Sequence, residues 1–142
     1  MSRGSGRESG CTDVNGRAGG GQTNVTVNLN PIHFNEAYAA ETELGERLVN
    51  GLVVIAMAVG MSVIDVSQNA TANIGYDDIR YLAPVFHGDT LFAESEVRSK
   101  RESESREHVG LVTTELREYN RTASRCSRWS RRTWYSPAIT RI

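Results

Sequence analysis

The sequence predicts an α+β fold in which an antiparallel sheet wraps around one central helix. The helix is indicated by the longest apolar stretch of the chain, LVNGLVVIAMAVGMSVIDV at residues 48–66, which has no charge before Asp65. A stretch that is apolar on every face is typical of a helix surrounded by protein. The stretches that follow it alternate apolar and polar residues, as half-buried strands do. One helix followed by antiparallel strands is the order of elements in an α+β domain.

Length, charge and the N-terminal residues indicate the class of protein. The 142 residues suffice for one domain with its own core, and the net charge at pH 7 is −1. Residues 52–64, the strictly apolar part of the central stretch, are too short for a membrane span, which needs about 20 apolar residues. The first ten residues, MSRGSGRESG, lack the apolar core of a secretion signal. We therefore expect a cytoplasmic protein without a membrane partner.

Composition divides the chain into three segments. Residues 1–22 are rich in Gly, Ser and Arg, which predicts a disordered leader. Residues 23–120 carry the helix and strand patterns and form the predicted domain. Residues 121–142 contain six arginines and no acid. We expect a poorly ordered basic tail there, and hence a sheet that has lost or replaced a strand. A short basic tail alone is only an electrostatic footprint, so no nucleic-acid partner is expected.

Local signals predict the helix ends. Residues 23–29 alternate and predict a short strand or an extended approach to the first helix. Asn30 is a favoured N-cap and Pro31 a favoured first helical residue, which predicts a helix over residues 31–42. Its inner side is expected to consist of Phe34, Ala37, Tyr38 and Leu44. Asn50 is expected near the N-cap of the central helix.

Three strands follow the central helix in this prediction. They lie at residues 72–80, 90–100 and 109–119, and residues 101–107 connect the last two as a hairpin. The buried face of the middle strand is expected to consist of Leu91, Ala93, Ser95 and Val97. Tyr81 is expected in the core.

His33 and the two cysteines are the first candidates for chemistry. In the first turn of its helix, His33 would favour the neutral imidazole, the form that a general base needs. Neither Cys11 nor Cys126 has a second Cys or His near it at ligand spacing, so no metal site is predicted. A reducing compartment argues against a disulfide between them.

Two motifs carry a resemblance to a known family. NLNPIH at residues 28–33, followed by FNEAYAAETELGERLVNGLVVIAMAVG, and YLAPVFHGDTLFAESEV at residues 81–97 resemble the MaoC-like hydratase family, the (R)-specific enoyl-CoA hydratases of the hotdog fold. The resemblance covers residues 27–120. The segments NPIHF, LVNGL and GDTLFAESEV are similar to those of mesaconyl-CoA or methylmalyl-CoA hydratase-like members of the family.

The resemblance implies a helix within an antiparallel sheet, homodimers, and an acyl-CoA thioester bound at the helix N-terminus without metal or organic cofactor. The family pattern is Asp-x-Asn-Pro-Ile/Leu-His, whose Asp and His hold the water. His33 matches the histidine, and Gly51 matches the glycine whose N–H polarises the thioester carbonyl. Asn30 and Asn50 join Gly51 as candidate substrate-binding residues. Asn28 stands in the position of the aspartate.

The resulting hypothesis is a hydratase or dehydratase acting on a 2-enoyl-CoA thioester, with mesaconyl-CoA as one candidate. Because asparagine cannot exchange a proton at pH 7, Asn28 would leave the proton transfers to His33. A hotdog thioesterase is the alternative enzyme, with Glu46 as the carboxylate that directs water at the carbonyl. A non-catalytic acyl-CoA-binding or dimerisation module is a third reading, favoured by Asn28 and by the atypical termini.

Overall fold

The computed structural model describes residues 7–13, 25–122 and 124–136. Within them five strands form one antiparallel sheet in the order β1-β3-β4-β5-β2. The strands are β1 (Arg7–Asp13), β2 (Ala72–Tyr81), β3 (Thr90–Glu102), β4 (Gly110–Asn120) and β5 (Arg125–Tyr135). The α-helices are α1 (Glu36–Ala40) and α2 (Gly51–Met61), with a 3-10 turn at Pro31–His33 and a π-helical turn at Val63–Ser67. The predicted α+β architecture is confirmed.

Helix α2 packs on the sheet through two groups of buried side chains. One group lies near its N-terminus and consists of Val49, Val54, Val85, Leu91 and Cys126. The other lies further along the helix and consists of Ile55, Ala58, Ala93, Leu116 and Trp129. The side chains of Leu91, Ala93 and Leu116 are fully buried. A central helix lying on an antiparallel sheet is therefore present, as the sequence indicates.

The central helix is shorter and less enclosed than the sequence predicts. It ends at Met61, and the next residues form the π-helical turn. Its outer side is exposed, with Leu52 63% and Ile64 of the following turn 80% exposed. Because the sheet covers only one side of the helix, the expectation that protein surrounds it on most sides is wrong.

The first predicted helix is divided in two. Asn30 caps the 3-10 turn, and the side chain of Asn35 then accepts a hydrogen bond from Tyr38 N at 3.1 Å and starts α1 as a new helix. Only Ala39 of α1 is buried. The four residues expected on the inner side are all exposed: Phe34, Ala37, Tyr38 and Leu44. The short strand expected just before this region is not formed by the described residues 25–29.

The basic segment after residue 120 contains a strand, so the prediction of a poorly ordered tail is wrong for residues 125–135. Strand β5 lies between β4 and β2. Its period of two buries Ser127, Trp129, Arg131 and Thr133. Two of its other arginines pair with acids of β2, as Arg128 lies 3.0 Å from Asp78 and Arg132 lies 2.7 Å from Asp77. The basic strand thus complements an acidic neighbour.

The leader also contributes to the sheet. Arg7–Asp13 pairs antiparallel with β3, from Arg7 opposite Ser95 to Asp13 opposite Thr90. Disorder is therefore a wrong prediction for these residues. Strand pairing uses backbone groups, which every residue type except proline supplies in full, so composition alone did not exclude it. The other residues of the leader, and those of the tail after Ser136, lie outside the described part of the chain.

The three strands predicted after the central helix are confirmed as β2, β3 and β4. Leu91, Ala93 and Ser95 are buried as expected, but Val97 is 51% exposed because β3 has passed the end of the core there. In the described ranges, no helix has the length and apolar character needed to cross a membrane.

Candidate functional site

A cavity of about 500 Å³ opens at the N-terminus of α2. Its walls are residues 48–52 with Val54 on one side, residues 81–85 on the other, and Cys126 of β5. Most of these side chains are apolar. The cavity therefore brings together the N-terminus of the central helix and the segment between β2 and β3, which carry parts of both sequence motifs.

Asn50 forms the N-cap of α2, as predicted. Its side-chain oxygen accepts a hydrogen bond from Leu52 N at 3.0 Å, and the residue is 7% exposed. The next residue, Gly51, lines the cavity, and its N–H donates to no group in the described part of the chain. A free N–H at a helix N-terminus, where the helix dipole is positive, favours an oxygen that carries negative charge.

The ring of Tyr81 lies directly against Gly51. A Cβ atom at Gly51 would lie 2.6 Å from Tyr81 Cε1 and 2.8 Å from Cζ, closer than real atoms approach. Glycine is therefore required at this position for the ring to stay where it is. Tyr81 is 54% exposed and lines the cavity, so the expectation that it belongs to the core is wrong.

His33 is tied to the edge of this cavity by a hydrogen bond. Its Nδ1 lies 2.9 Å from the carbonyl oxygen of Leu48, and Leu48 N donates to the carbonyl oxygen of Ile32 at 3.1 Å. Because a carbonyl only accepts, Nδ1 carries the hydrogen, and in the neutral ring Nε2 keeps its lone pair. A single 3-10 turn has little dipole, so this hydrogen bond, rather than a helix dipole, prepares His33 for accepting a proton.

Backbone bonds hold the two motif segments together. Val49 N donates to Val85 O at 2.8 Å, and Leu48 forms an isolated bridge with Phe86. Leu48 thus contacts the segment of His33 on one side and the segment between β2 and β3 on the other. Backbone contacts between segments that are distant in sequence therefore fix the residues next to the cavity.

Asn28 and Asn30 both shape the turn that leads to His33. Asn28 is half-buried, and its Oδ1 accepts from Asn30 N at 3.1 Å. Oδ1 of Asn30 in turn accepts from Ile32 N at 3.2 Å. Among the described contacts no hydrogen bond joins Asn28 to His33. Asn28 and His33 therefore lie at the two ends of one tight turn. The side-chain oxygens of Asn28 and Asn30 accept hydrogen bonds from the backbone of that turn.

The sequence analysis missed Glu118 altogether and did not predict that Cys126 is buried beside the cavity. Glu118 of β4 is fully buried, its carboxyl is hydrogen-bonded to Ser127 Oγ, and burial raises its pKa to about 8. Burial and the neighbouring Glu118 raise the pKa of Cys126 to about 11, which keeps the thiol protonated and unreactive. The burial of Glu118 could have been predicted from the alternation of β4. Thr114 and Leu116 point into the protein, and Glu118 is the next residue on the same face of the strand.

Neither Glu46, the carboxylate of the thioesterase alternative, nor the histidine of the β3–β4 hairpin lines the cavity. Glu46 is exposed and does not line it. His108 is exposed in the hairpin between β3 and β4, as the charge of that segment indicates. Within residues 25–122 and 124–136, no cluster of three or more His, Cys, Asp or Glu side chains could hold a metal ion.

Comparison with known proteins identifies relatives of this chain. A family model described as "MaoC like domain" matches residues 23–120. A mesaconyl-CoA hydratase of Cereibacter sphaeroides is 38% identical over 89 residues, which are 63% of this chain and 26% of that protein. An (R)-specific enoyl-CoA hydratase of Aeromonas caviae is 29% identical over 92 residues, 65% of this chain and 66% of that protein. The chain thus spans about a quarter of the first relative and about two thirds of the second.

Solved structures agree with this family. A protein of Archaeoglobus described as a monoamine oxidase regulatory protein superposes with a TM-score of 0.84 at 26% identity, over 95% of this chain and 90% of that one. A Mycobacterium tuberculosis protein described as a double hotdog fold gives a TM-score of 0.82 at 20% identity, over 96% of this chain and 43% of that one. With the family model matching more than half of its residues, the chain belongs to the MaoC-like domain family and has the hotdog fold.

Proposed function

We propose that the chain is a hydratase or dehydratase that adds water to, or removes it from, the double bond of a 2-enoyl-CoA thioester. The observation that carries this proposal is the free N–H of Gly51, which lies in the cavity at the N-terminus of α2. Leu48 lines the same cavity, and its carbonyl oxygen accepts the hydrogen bond from His33. The named hydratases among the relatives support the same class of reaction.

The proposed mechanism assigns the charge and the proton to different groups. The thioester oxygen accepts a hydrogen bond from Gly51 N–H, which stabilises the negative charge that develops when hydroxide adds to C3. His33 Nε2 takes a proton from the water and returns it to C2, so water is added without net change in protons. Asn28 orients the water but exchanges no proton with it. The reverse sequence eliminates water from a 3-hydroxyacyl thioester.

The cavity wall favours an uncharged acyl group. Residues 48–52 and 81–85 contain no arginine, lysine or histidine, and neither Val54 nor Cys126 is charged. Mesaconyl-CoA carries a free carboxylate, and burying a carboxylate without a positive partner is costly, on the order of several kcal/mol. We therefore propose a crotonyl-like acyl group as the preferred substrate, and mesaconyl-CoA as a poorer one.

The thioesterase alternative receives less support. A thioesterase requires a carboxylate that directs water at the thioester carbonyl. Glu46 is exposed and does not line the cavity, so it is poorly placed for this role. Glu118 is a buried carboxyl that could be considered in its place, but the raised pKa of Glu118 leaves this group protonated at pH 7. A non-catalytic acyl-CoA-binding module remains an outcome of the experiment below.

We also propose that the chain forms a homodimer. Strand β2 is an edge of the described sheet and exposes Ile74, Tyr76 and Ile79 by 40%, 38% and 37%. An edge strand with apolar side chains is a surface that pairs with a second chain. Ile74→Lys should lower the dimer fraction in sedimentation experiments, whereas Val97→Lys, on the exposed end of β3, should not. Equal dimer fractions in both variants would contradict pairing through β2. The location in the cytoplasm stays a prediction.

The test of the proposed reaction follows enoyl-thioester absorbance and free thiol together, with crotonyl-CoA and mesaconyl-CoA as substrates. His33→Asn removes Nε2 but retains an amide that can donate to Leu48 O. His108→Asn is the matched control, because His108 is exposed and has a φ of 60°, which asparagine tolerates. We expect absorbance loss without thiol release, faster with crotonyl-CoA, and at least about 100-fold slower in the His33 variant.

Other results would replace the proposal. Thiol release that survives His33→Asn would establish a thioesterase. Binding of both thioesters by a folded protein without absorbance loss or thiol release would establish a binding module. Faster turnover of mesaconyl-CoA than of crotonyl-CoA would keep the hydratase and contradict the uncharged acyl group.

A further inference from the structure

We propose that the hydroxyl group of Tyr81 is a second hydrogen-bond donor to the thioester oxygen, acting together with Gly51 N–H. This inference rests on the proposed function and adds a residue to it. Tyr81 is the last residue of β2 and reaches the cavity from the strand, whereas Gly51 reaches it from the helix. The two donors come from different elements and line the same cavity.

The position of the ring follows from the geometry at Gly51. Each Cα–Cβ bond in a helix tilts towards the helix N-terminus. The Cβ position of Gly51 lies 3.1 Å from Tyr81 Oη, so the phenol lies beside the N-terminal end of α2. A Cβ position is about 2.5 Å from the nitrogen of its own residue. The distance between Gly51 N and Tyr81 Oη is therefore at most about 5.6 Å.

This distance permits one acceptor for both donors. Hydrogen bonds from N–H and O–H groups to oxygen have heavy-atom distances of about 2.7–3.0 Å. An oxygen placed between donors that are at most about 5.6 Å apart can accept from both. Two convergent donors aimed at one oxygen are the arrangement that stabilises an oxyanion.

Neither donor is used elsewhere in the described structure. No hydrogen bond of the Tyr81 hydroxyl or of Gly51 N–H to another described residue is formed. Partial burial and the charge that Glu118 would carry raise the pKa of Tyr81, which keeps its hydroxyl protonated and able to donate. Both groups line the cavity, so a ligand oxygen is the partner within their reach.

The backbone next to Tyr81 is fixed. Leu82 N and Ala83 N both donate to Cys126 O, at 2.8 and 3.3 Å, and Tyr81 itself pairs with Ser127 in the β2–β5 ladder. The phenol is therefore held at the end of an anchored strand rather than on a free loop. Anchored donors stabilise charge without having to reorganise during the reaction.

Tyr81→Phe tests the proposal because it keeps the ring against Gly51 and removes only the hydroxyl. With crotonyl-CoA as substrate we expect kcat to fall at least about 10-fold while KM changes less than about 3-fold, since the lost bond strengthens as negative charge develops. Tyr119→Phe is the matched control, a half-buried tyrosine of β4 outside the cavity. Unchanged kcat in Tyr81→Phe would overturn the proposal.

A second readout does not depend on turnover. Butyryl-CoA, labelled with ¹³C at its thioester carbonyl, cannot be hydrated, and its carbonyl stretch shifts to lower frequency when donors polarise the bond. We expect a shift on binding to the unchanged protein and a smaller one in Tyr81→Phe. An equal shift in both proteins would overturn the donor role, because a merely structural role of the ring would leave the frequency unchanged.

The two readouts separate this inference from the proposed function. If the unchanged protein fails to hydrate crotonyl-CoA but shows the carbonyl shift, and Tyr81→Phe reduces it, the proposed reaction is wrong and the donor role of Tyr81 is supported. If the protein hydrates crotonyl-CoA and Tyr81→Phe matches it in both readouts, the proposed reaction stands and the donor role is wrong.

Discussion

Glu118 and Ser127 lie directly opposite each other on β4 and β5, and their side chains form a hydrogen bond in the interior of the protein. Both residues are fully buried. Burial raises the pKa of the Glu118 carboxyl to about 8, although Ser127 favours its charged form. At pH 7 the folded protein thus holds a neutral carboxyl under α2, while the same group is ionised in the unfolded chain.

Stability should therefore decrease as the pH rises. Between the ordinary pKa of about 4.5 and the folded value of about 8 the folded state binds one proton more than the unfolded state. This contribution is fully present below about pH 4.5 and is lost as the pH rises to about 8. The free energy of unfolding should decrease by about 1.4 kcal/mol per pH unit in this window, a total on the order of 5 kcal/mol.

Glu118→Gln tests this linkage with a neutral side chain of the same shape. Urea unfolding at about pH 5 and at about pH 8.5 should show a smaller decrease in the variant, which should be the more stable protein at the higher pH. Glu104→Gln is the control, because the Glu104 side chain is 93% exposed. A decrease of the same size in Glu118→Gln would show that another group causes it.

Gly51→Ala should disturb the site, because its Cβ would lie 2.6 Å from the ring of Tyr81. We expect a loss of about 1–3 kcal/mol in stability, as for other cases of overpacking, and at least about a 10-fold fall in kcat. Gly60→Ala is the matched change on the same helix, and nothing lies within 4 Å of its Cβ position. It should stabilise the protein by about 0.5–1 kcal/mol. Similar melting temperatures for the two variants would contradict the contact.

Trp129→Leu tests whether β5 belongs to the core. Trp129 is 1% exposed and packs with Ile55 and Leu116, so its truncation should cost about 2–4 kcal/mol in urea unfolding. Trp134, on the same strand, is half-buried and has Arg106 over its ring at 4.1 Å. Trp134→Leu should therefore cost only about 1 kcal/mol. Equal costs would argue that the segment is not held as a strand.

Much of the fold follows from hydrophobic pattern, whereas the strands at the two termini depend on pairing that this pattern does not show. Residues 90–100 alternate between apolar and polar positions, and β3 forms there. Strand β5 alternates as well, but its inward positions hold Ser127, Arg131 and Thr133 beside Trp129, so hydrophobicity does not reveal the period. This strand is held by backbone pairing with β4 and β2, by the buried Trp129 and by ion pairs with the acids of β2, and composition contains none of these tertiary relationships.

The site was predictable to the extent that it depends on local capping. The N-cap role of Asn50 and the turn at Asn30 follow from residue type, because an asparagine side chain satisfies free N–H groups. The contact between Gly51 and Tyr81 joins residues thirty positions apart, so it could not be read from the sequence. The hydrogen bond of His33 to Leu48 O is equally non-local, and it sets the tautomer on which the proposed chemistry depends.

If the proposed reaction takes place, Asn28→Asp should increase its rate, because the resemblance of residues 28–33 to the family leads us to expect an aspartate at this position. Oδ1 of Asn28 accepts from Asn30 N at 3.1 Å, and an aspartate oxygen can keep that bond while its second oxygen exchanges a proton with water. A positioned acid or base contributes about 10²–10⁴-fold to such reactions. We expect kcat with crotonyl-CoA to rise at least about 10-fold, and the pH profile of kcat/KM to gain a limb from the new carboxyl.

Asn30→Asp is the control, since aspartate also caps a turn and adds the same charge two residues away. An Asn28→Asp protein that is no faster than the Asn30→Asp protein would show that His33 carries every proton transfer and that the asparagine suffices for holding the water.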